Sequence, residues 1–268
     1  MAIVIILLIF AALYVLALRC RSGHEKLPQL RKWYYAHRGL HGNGVPENSM
    51  TAFRLALERG YGIELDIHLL KDGSLAVIHD SALKRTTGAE GYIEDLTAPD
   101  LTRFRLEGTE ETIPLFQDVL DLFDGKAPII VELKAEQGNH AALADTACRL
   151  LETYDGLYCI ESFDPRCILW LKKNRPDIVR GQLSENFMKN KATKLAGALR
   201  FVLANLLTNF LTQPDFIAYN FADRKGLAPT LCKMLWHVQG VSWTIRNQKD
   251  FNTTIEEGNI PIFESFEP

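Results

Sequence analysis

Apolar and polar positions alternate with period two through Ile63-Glu-Leu-Asp-Ile-His68. A strand here sets Ile63, Leu65 and Ile67 on one face and Glu64, Asp66 and His68 on the other. Comparable runs predict strands at about 33–37, 61–67, 74–78, 128–134, 157–162, 178–183, 215–219 and 239–244. Between them the period lengthens. Ala52, Phe53, Ala56 and Leu57 share one face of a helix over 49–59 that Gly60 stops, and further helices are predicted at 115–124, 139–154, 165–174 and 228–238. Strands alternating with helices predict an α/β protein, and eight strands suit one TIM (β/α)8 barrel over residues 33–268.

Residues 2–18 are apolar without interruption. At about 1.5 Å per residue such a run sits at the short end for crossing a bilayer, and it predicts a transmembrane helix. No basic residue precedes it, whereas Arg19, Arg21, Lys26, Arg31 and Lys32 follow. That order favours an uncleaved single-pass membrane anchor over a signal peptide. The flank 19–32 becomes a juxtamembrane linker, and the positive-inside rule puts the barrel in the cytoplasm. Segment 184–213 is long for a βα connection. It sets Lys189, Lys191, Lys194 and Arg200 against Glu185, then repeats Leu195, Leu199, Val202, Leu206 and Phe210 at helical spacing. It reads as an outer barrel helix with a solvated basic face, or as a helix lying on anionic lipid.

Composition narrows this picture. The chain has 268 residues, 47% of them hydrophobic, enough for one large core. A net charge of −3 with no long basic run argues against nucleic acid as a partner. The five cysteines form no C-x-x-C pair, so they read as buried free thiols in a reducing compartment.

Four strand-like runs carry ionisable residues at or near their C-terminal ends: His37 and Arg38, Glu64 and Asp66, His79, and Glu132 with Lys134. Parallel barrels build active sites at that end. Two carboxylates on one strand face repel unless a cation lies between them, and oxygen ligands favour one divalent ion, magnesium or calcium. With Glu132 as third ligand, such an ion would neutralise a phosphodiester and act as a Lewis acid. Arg38 offers a planar fork to phosphate and Lys134 a point charge. His37 and His79 fit a general base and a general acid.

The succession His37-Arg38-Gly39, Pro46-Glu47-Asn48-Ser49, Glu64-Leu-Asp66, Lys71-Asp72-Gly73, His79-Asp80 and Glu132-Leu-Lys134 resembles the glycerophosphodiester phosphodiesterases. The likeness is close over residues 34–134 and looser through Glu161-Ser162-Phe163 and Trp243-Thr244. It implies a TIM barrel in which Glu64, Asp66 and Glu132 hold the metal and His37 and His79 are the catalytic pair. Arg38 and Lys134 then meet phosphate, and Glu47 lies near the metal or orients Arg38. Trp243 walls the pocket, or else is a core residue of the last strand. Ser162 and Phe163 line the strand-five end. Leu70 stands where the family has Thr, and Phe263-Glu-Ser-Phe-Glu-Pro268 replaces its Thr-Asp-x-Pro, so no C-terminal Asp is assumed. His68 is left out of the site. The activity implied is metal-dependent hydrolysis of a glycerophosphodiester to glycerol 3-phosphate and an alcohol. A lysophospholipase D-like or phosphoinositide-cleaving enzyme acting on membrane lipid is the second reading. A catalytically silent barrel that binds phosphate ligands is the third.

Overall fold

The computed structural model describes residues 1–189 and 195–268. A long helix, α1 (Ala2–Ala17), and a single turn, α2 (Leu27–Leu30), precede β1 (Tyr35–His37), α3 (Met50–Glu58), β2 (Gly62–Leu69), β3 (Leu75–Val77), α4 (Lys84–Thr87) and α5 (Phe116–Phe123). The chain then alternates regularly: β4 (Ile129–Leu133), α6 (His140–Leu151), β5 (Tyr158–Ser162), α7 (Pro165–Asn174), β6 (Arg180–Ser184), α8 (Gly197–Ala204), α9 (Asn209–Thr212), β7 (Phe216–Asn220), α10 (Leu227–Trp236), β8 (Gln239–Ile245), α11 (Gln248–Glu256) and β9 (Ile260–Phe263).

Eight parallel strands, β1, β2 and β4 to β9, close into a barrel because β1 pairs with both β2 and β9. The run at 74–78, expected as a barrel strand, is β3 and lies antiparallel on β2. A tight turn at Lys71-Asp-Gly73 forces that reversal, with Asp72 accepting from the Ser74 and Ala98 amides. The barrel's eighth strand is instead β9, a four-residue segment containing Pro261 that has no alternating pattern.

The faces of β2 divide as its alternation predicts. Ile63, Leu65 and Ile67 pack outward into the main core with Phe53 and Ala56 of α3, Phe116 and Leu120 of α5 and Leu143 of α6. Each such side chain stabilises the fold by roughly 1.5–3 kcal/mol on full burial. The opposite face is left to the carboxylates. Helix α3 begins where the Ser49 hydroxyl accepts from the Ala52 amide.

At the N-terminal ends of the strands, Asp215 is fully buried and takes both a 2.5 Å bond from Arg21 Nε and the Arg180 amide. This pair fastens residues 19–32 to the barrel. Leu18 and Cys20 are buried with Ile217, Tyr219 and Cys232, and Trp236 Nε1 donates to the Val15 carbonyl. All five cysteines are buried and unbridged, as expected.

The expected transmembrane helix over 2–18 is not met. Helix α1 has 16 residues, and at 1.5 Å per residue it covers about 24 Å against about 30 Å of hydrocarbon. Leu18 belongs to the barrel's own packing. Among the described residues no helix is long and apolar enough to cross a membrane. Segment 184–213 also departs from a single amphipathic helix: a positive φ of 54° at Leu206 separates α8 from α9, so Leu199 and Phe210 do not lie on one helix. Its cations have local work. Lys189 pairs with Asp223 at 2.6 Å and Arg200 donates to the Phe187 carbonyl. Lys191 and Lys194 lie outside the described residues.

Candidate active site

Glu64 and Asp66 project inward from β2, and Glu132 from β4, where it sits in register with Asp66. Their carboxylate oxygens lie within 4.8 Å of one another, and all three residues are buried. Burial, then the charges of Asp66 and Glu132, push Glu64 well above the ordinary carboxylate range. Burial also pushes Asp66 upward, but Lys134 foremost among the opposing charges holds it well below that range. Lys134 Nζ lies 3.0 Å from Asp66 Oδ1 and 2.6 Å from Glu132 Oε1. Lys134 and Arg38 bring two positive charges to three crowded carboxylates, which still leaves an electrostatic deficit. An all-oxygen donor set of this kind fits a hard divalent cation such as magnesium or calcium.

His37 ends β1. Its Nδ1 lies 2.5 Å from Glu264 Oε2, and its Nε2 faces Glu64 Oε2 at 3.8 Å. Burial lowers the His37 pKa, and the hydrogen bond that His37 donates to Glu264 offsets only part of this. With Glu264 accepting from Nδ1–H, Nε2 carries the free lone pair. Glu264 follows β9 and is itself held by Arg246 Nε at 2.7 Å. Sequence reasoning set this position aside because the family's Asp is absent; the longer Glu reaches the histidine.

His79 lies in the loop after β3, not at a barrel strand end. Its Nδ1 is 2.5 Å from Asp80 Oδ1, and Asp80 also accepts from Arg85. His68, left out of the site, bonds Glu94 at 2.6 Å and lies 3.2 Å from the His79 carbonyl, so it supports the loop that carries His79.

Arg38 adopts a positive φ of 55°, followed by Gly39 at 79°. A Cβ on Gly39 would lie 2.8 Å from the backbone carbon of Ala52, so only glycine allows this turn to close on α3. The turn directs Arg38 to Glu47 at 2.9 Å and to Asp66 at 3.5 Å. Glu47 also takes Arg85 at 2.6 Å, so in this structure it orients Arg38 and stands apart from the carboxylate triad. Asn48, unremarked beyond its motif, donates to Asp66 Oδ2 at 2.8 Å.

These groups surround a cavity of about 160 Å³, whose other walls include Glu161, Phe163, Leu183 and Trp243. Trp243 stands edge-on to Phe163 at 5.6 Å. The structure thus brings His37, Arg38, Glu64, His79, Glu132 and Trp243 to one cavity. Asp66 and Lys134 are not among its lining residues but contact two of them, Arg38 and Glu132 respectively. Ser162 instead turns into the strands, donating to the Leu133 carbonyl.

A model of the glycerophosphoryl diester phosphodiesterase family matches residues 37–264. The chain belongs to this family. Among its relatives, a glycerophosphodiester phosphodiesterase of Bacillus altitudinis is 45% identical over 107 residues, covering 37% of this chain and 43% of the relative. Lysophospholipase D GDPD1 of Rattus norvegicus is 32% identical over 134 residues, covering 45% of this chain and 41% of the relative. The alignments therefore span about two-fifths of these relatives' lengths. The structure of an Oleispira antarctica phosphodiesterase in complex with sn-glycerol-3-phosphate superposes with a TM-score of 0.71 at 21% identity, covering 87% of this chain and 92% of that one. This likeness shows that the family's barrel is shared.

Proposed function

We propose that this member of the glycerophosphoryl diester phosphodiesterase family hydrolyses glycerophosphodiesters to glycerol 3-phosphate and an alcohol. The observation that carries the reading is the pair of histidines at one cavity. A carboxylate holds each at Nδ1 at 2.5 Å, which leaves Nε2 as the free ring nitrogen, beside three clustered carboxylates. Glu64, Asp66 and Glu132 are the groups that would hold magnesium or calcium, which would supply Lewis acidity and neutralise phosphate charge.

The chain's own residues account for the proton movements. Arg38 presents its guanidinium to the phosphate, aimed by Glu47. His37, neutral because burial lowers its pKa, accepts the proton of the attacking oxygen at Nε2. Glu264 stabilises the resulting imidazolium through Nδ1. His79 gives its proton to the departing alkoxide, with Asp80 holding the ring.

A second reading, cleavage of lysolipids, draws on the apolar Phe163, Leu183 and Trp243 wall and on the similarity to lysophospholipase D GDPD1. We also propose that the apolar surface of α1 associates with lipid, with the basic residues after it drawn to an anionic cytoplasmic face. Residues Ile3 to Phe10 are apolar on every side and 50–74% exposed, and the basic residues follow them. Flotation of the full chain with liposomes checks this, and a chain that stays at the bottom of the gradient refutes it.

The deciding assay uses the full chain, since Leu18 and Cys20 are part of the core. Glycerol 3-phosphate release is followed from glycerophosphocholine and glycerophosphoethanolamine, and choline release from lysophosphatidylcholine. Each is measured with EDTA, then with magnesium or calcium restored. Metal-restored release of glycerol 3-phosphate supports the first reading, and choline release from the lysolipid alone supports the second. A folded protein inactive on all three refutes both.

A further inference from the structure

Glu161 takes no part in the proton movements above. It sits on β5 in register with Glu132, is 1% exposed, and faces the same cavity as His37 and His79. Among the described residues its Oε2 has no hydrogen-bond partner. Buried polar groups in folded proteins are almost always satisfied, and an exception at a ligand cavity calls for a partner that comes with the ligand. The nearby cations are committed elsewhere: Lys134 bonds Asp66 and Glu132, and Arg38 bonds Glu47 and lies against Asp66. Glu161 also stands outside the three carboxylates whose oxygens converge within 4.8 Å.

We propose that Glu161 accepts a hydrogen bond from the outer hydroxyl of the substrate's glycerol unit and sets specificity for it. This inference rests on the hydrolysis reading above. What Glu161 Oε2 lacks is a hydrogen-bond partner, and a hydroxyl can both donate and accept. An ionised phosphodiester has no O–H to offer, and the glycerol unit is the part of the substrate that has one. Phe163, Leu183 and Trp243 of the same cavity suit the carbon side of such a unit, leaving its hydroxyls to the carboxyl. A site built to bond a hydroxyl discriminates strongly against the analogue without it, because its own polar group is then left unpaired.

The test needs no turnover, so its failure is distinct from a failure of the hydrolysis assay. Calorimetry on the full chain with magnesium present compares glycerol 3-phosphate with propane-1,2-diol 1-phosphate, which lacks only the outer hydroxyl. The wild type should bind glycerol 3-phosphate at least about tenfold more tightly. Glu161→Met, similar in size and without an acceptor, should bring the two within about threefold by weakening glycerol 3-phosphate alone. Glu161→Gln, whose amide oxygen still accepts, should recover part of the preference. If Glu161→Met does not fold, Glu161→Leu takes its place. Equal affinities in the wild type overturn the inference, as does a preference that survives loss of the acceptor. A tenfold or greater loss of magnesium affinity in the Met variant also overturns it, by placing Glu161 among the metal ligands.

Discussion

Glu264→Gln isolates the contact between His37 and the last barrel strand. The wild-type carboxylate is nearly buried, 13% exposed, with Oε2 at 2.5 Å from His37 Nδ1 and Oε1 at 2.7 Å from Arg246 Nε. Glutamine keeps the shape and removes the charge that faces His37 as it becomes an imidazolium. A charge-assisted hydrogen bond of this kind contributes roughly 2–3 kcal/mol, which corresponds to about a 30- to 160-fold fall in kcat. The pH profile gives an independent sign. Glu264 raises the His37 pKa through its hydrogen bond and charge, against the larger downward effect of burial. Without it the pKa falls further. A base works in its neutral form, so the acid limb of kcat/KM should move to lower pH. Steady-state hydrolysis of glycerophosphocholine from pH 4 to 9 reads both effects. Were Glu264 only a fastener for β9, the variant would melt earlier while kcat and the acid limb stayed in place. A kcat within threefold of wild type, or an acid limb moved upward, refutes the reasoning.

Other perturbations reach other parts of the molecule. His79→Asn should lower turnover by about 100-fold or more with a small change in melting temperature, since the side chain is 31% exposed; near-wild-type turnover removes His79 from the acid role. Glu64→Gln should raise the melting temperature of the metal-free protein at pH 7 while weakening magnesium binding in calorimetry. The folded-state pKa of Glu64 is raised, so its ionisation destabilises the fold as pH climbs through the unfolded value, and an unchanged melting point contradicts the crowding argument. Gly39→Ala should cost about 1–3 kcal/mol in urea unfolding, because its Cβ meets Ala52 at a positive φ; an unshifted midpoint shows that the turn can relax. Asp215→Ala should cost about 1.5–3 kcal/mol by removing the acceptor of the Arg180 amide and leaving Arg21 only the Pro176 and Ile178 carbonyls, and a loss under 1 kcal/mol in the same assay would reduce that pair to a surface contact.

Local regularities carried much of this protein. The alternation at 63–68 separates the outward Ile63, Leu65 and Ile67 from the inward Glu64 and Asp66, because strand side chains must alternate whatever the strand pairs with. The short spacings in His37-Arg38-Gly39 and Pro46-Glu47-Asn48-Ser49 encode a turn and a helix cap, both local structures. Pairing between distant segments is not written in any local period. The run at 74–78 reads as a barrel strand, yet the turn at Lys71-Asp-Gly73 makes it a flap, and the closing place goes to the weakly patterned β9.

The same closure decides the site. Glu264 lies 227 residues from His37 in sequence, and the two meet only because β9 pairs with β1. Hydrophobicity alone likewise suggested a span at the N-terminus, whereas packing of Leu18 against Ile217 and Cys232 draws the end of that run into the barrel. The sequence by itself determined most of the candidate residues and, on β2, the face that Glu64 and Asp66 share. The tertiary structure decided which of them meet, because ring closure, unlike side-chain alternation, depends on every strand at once.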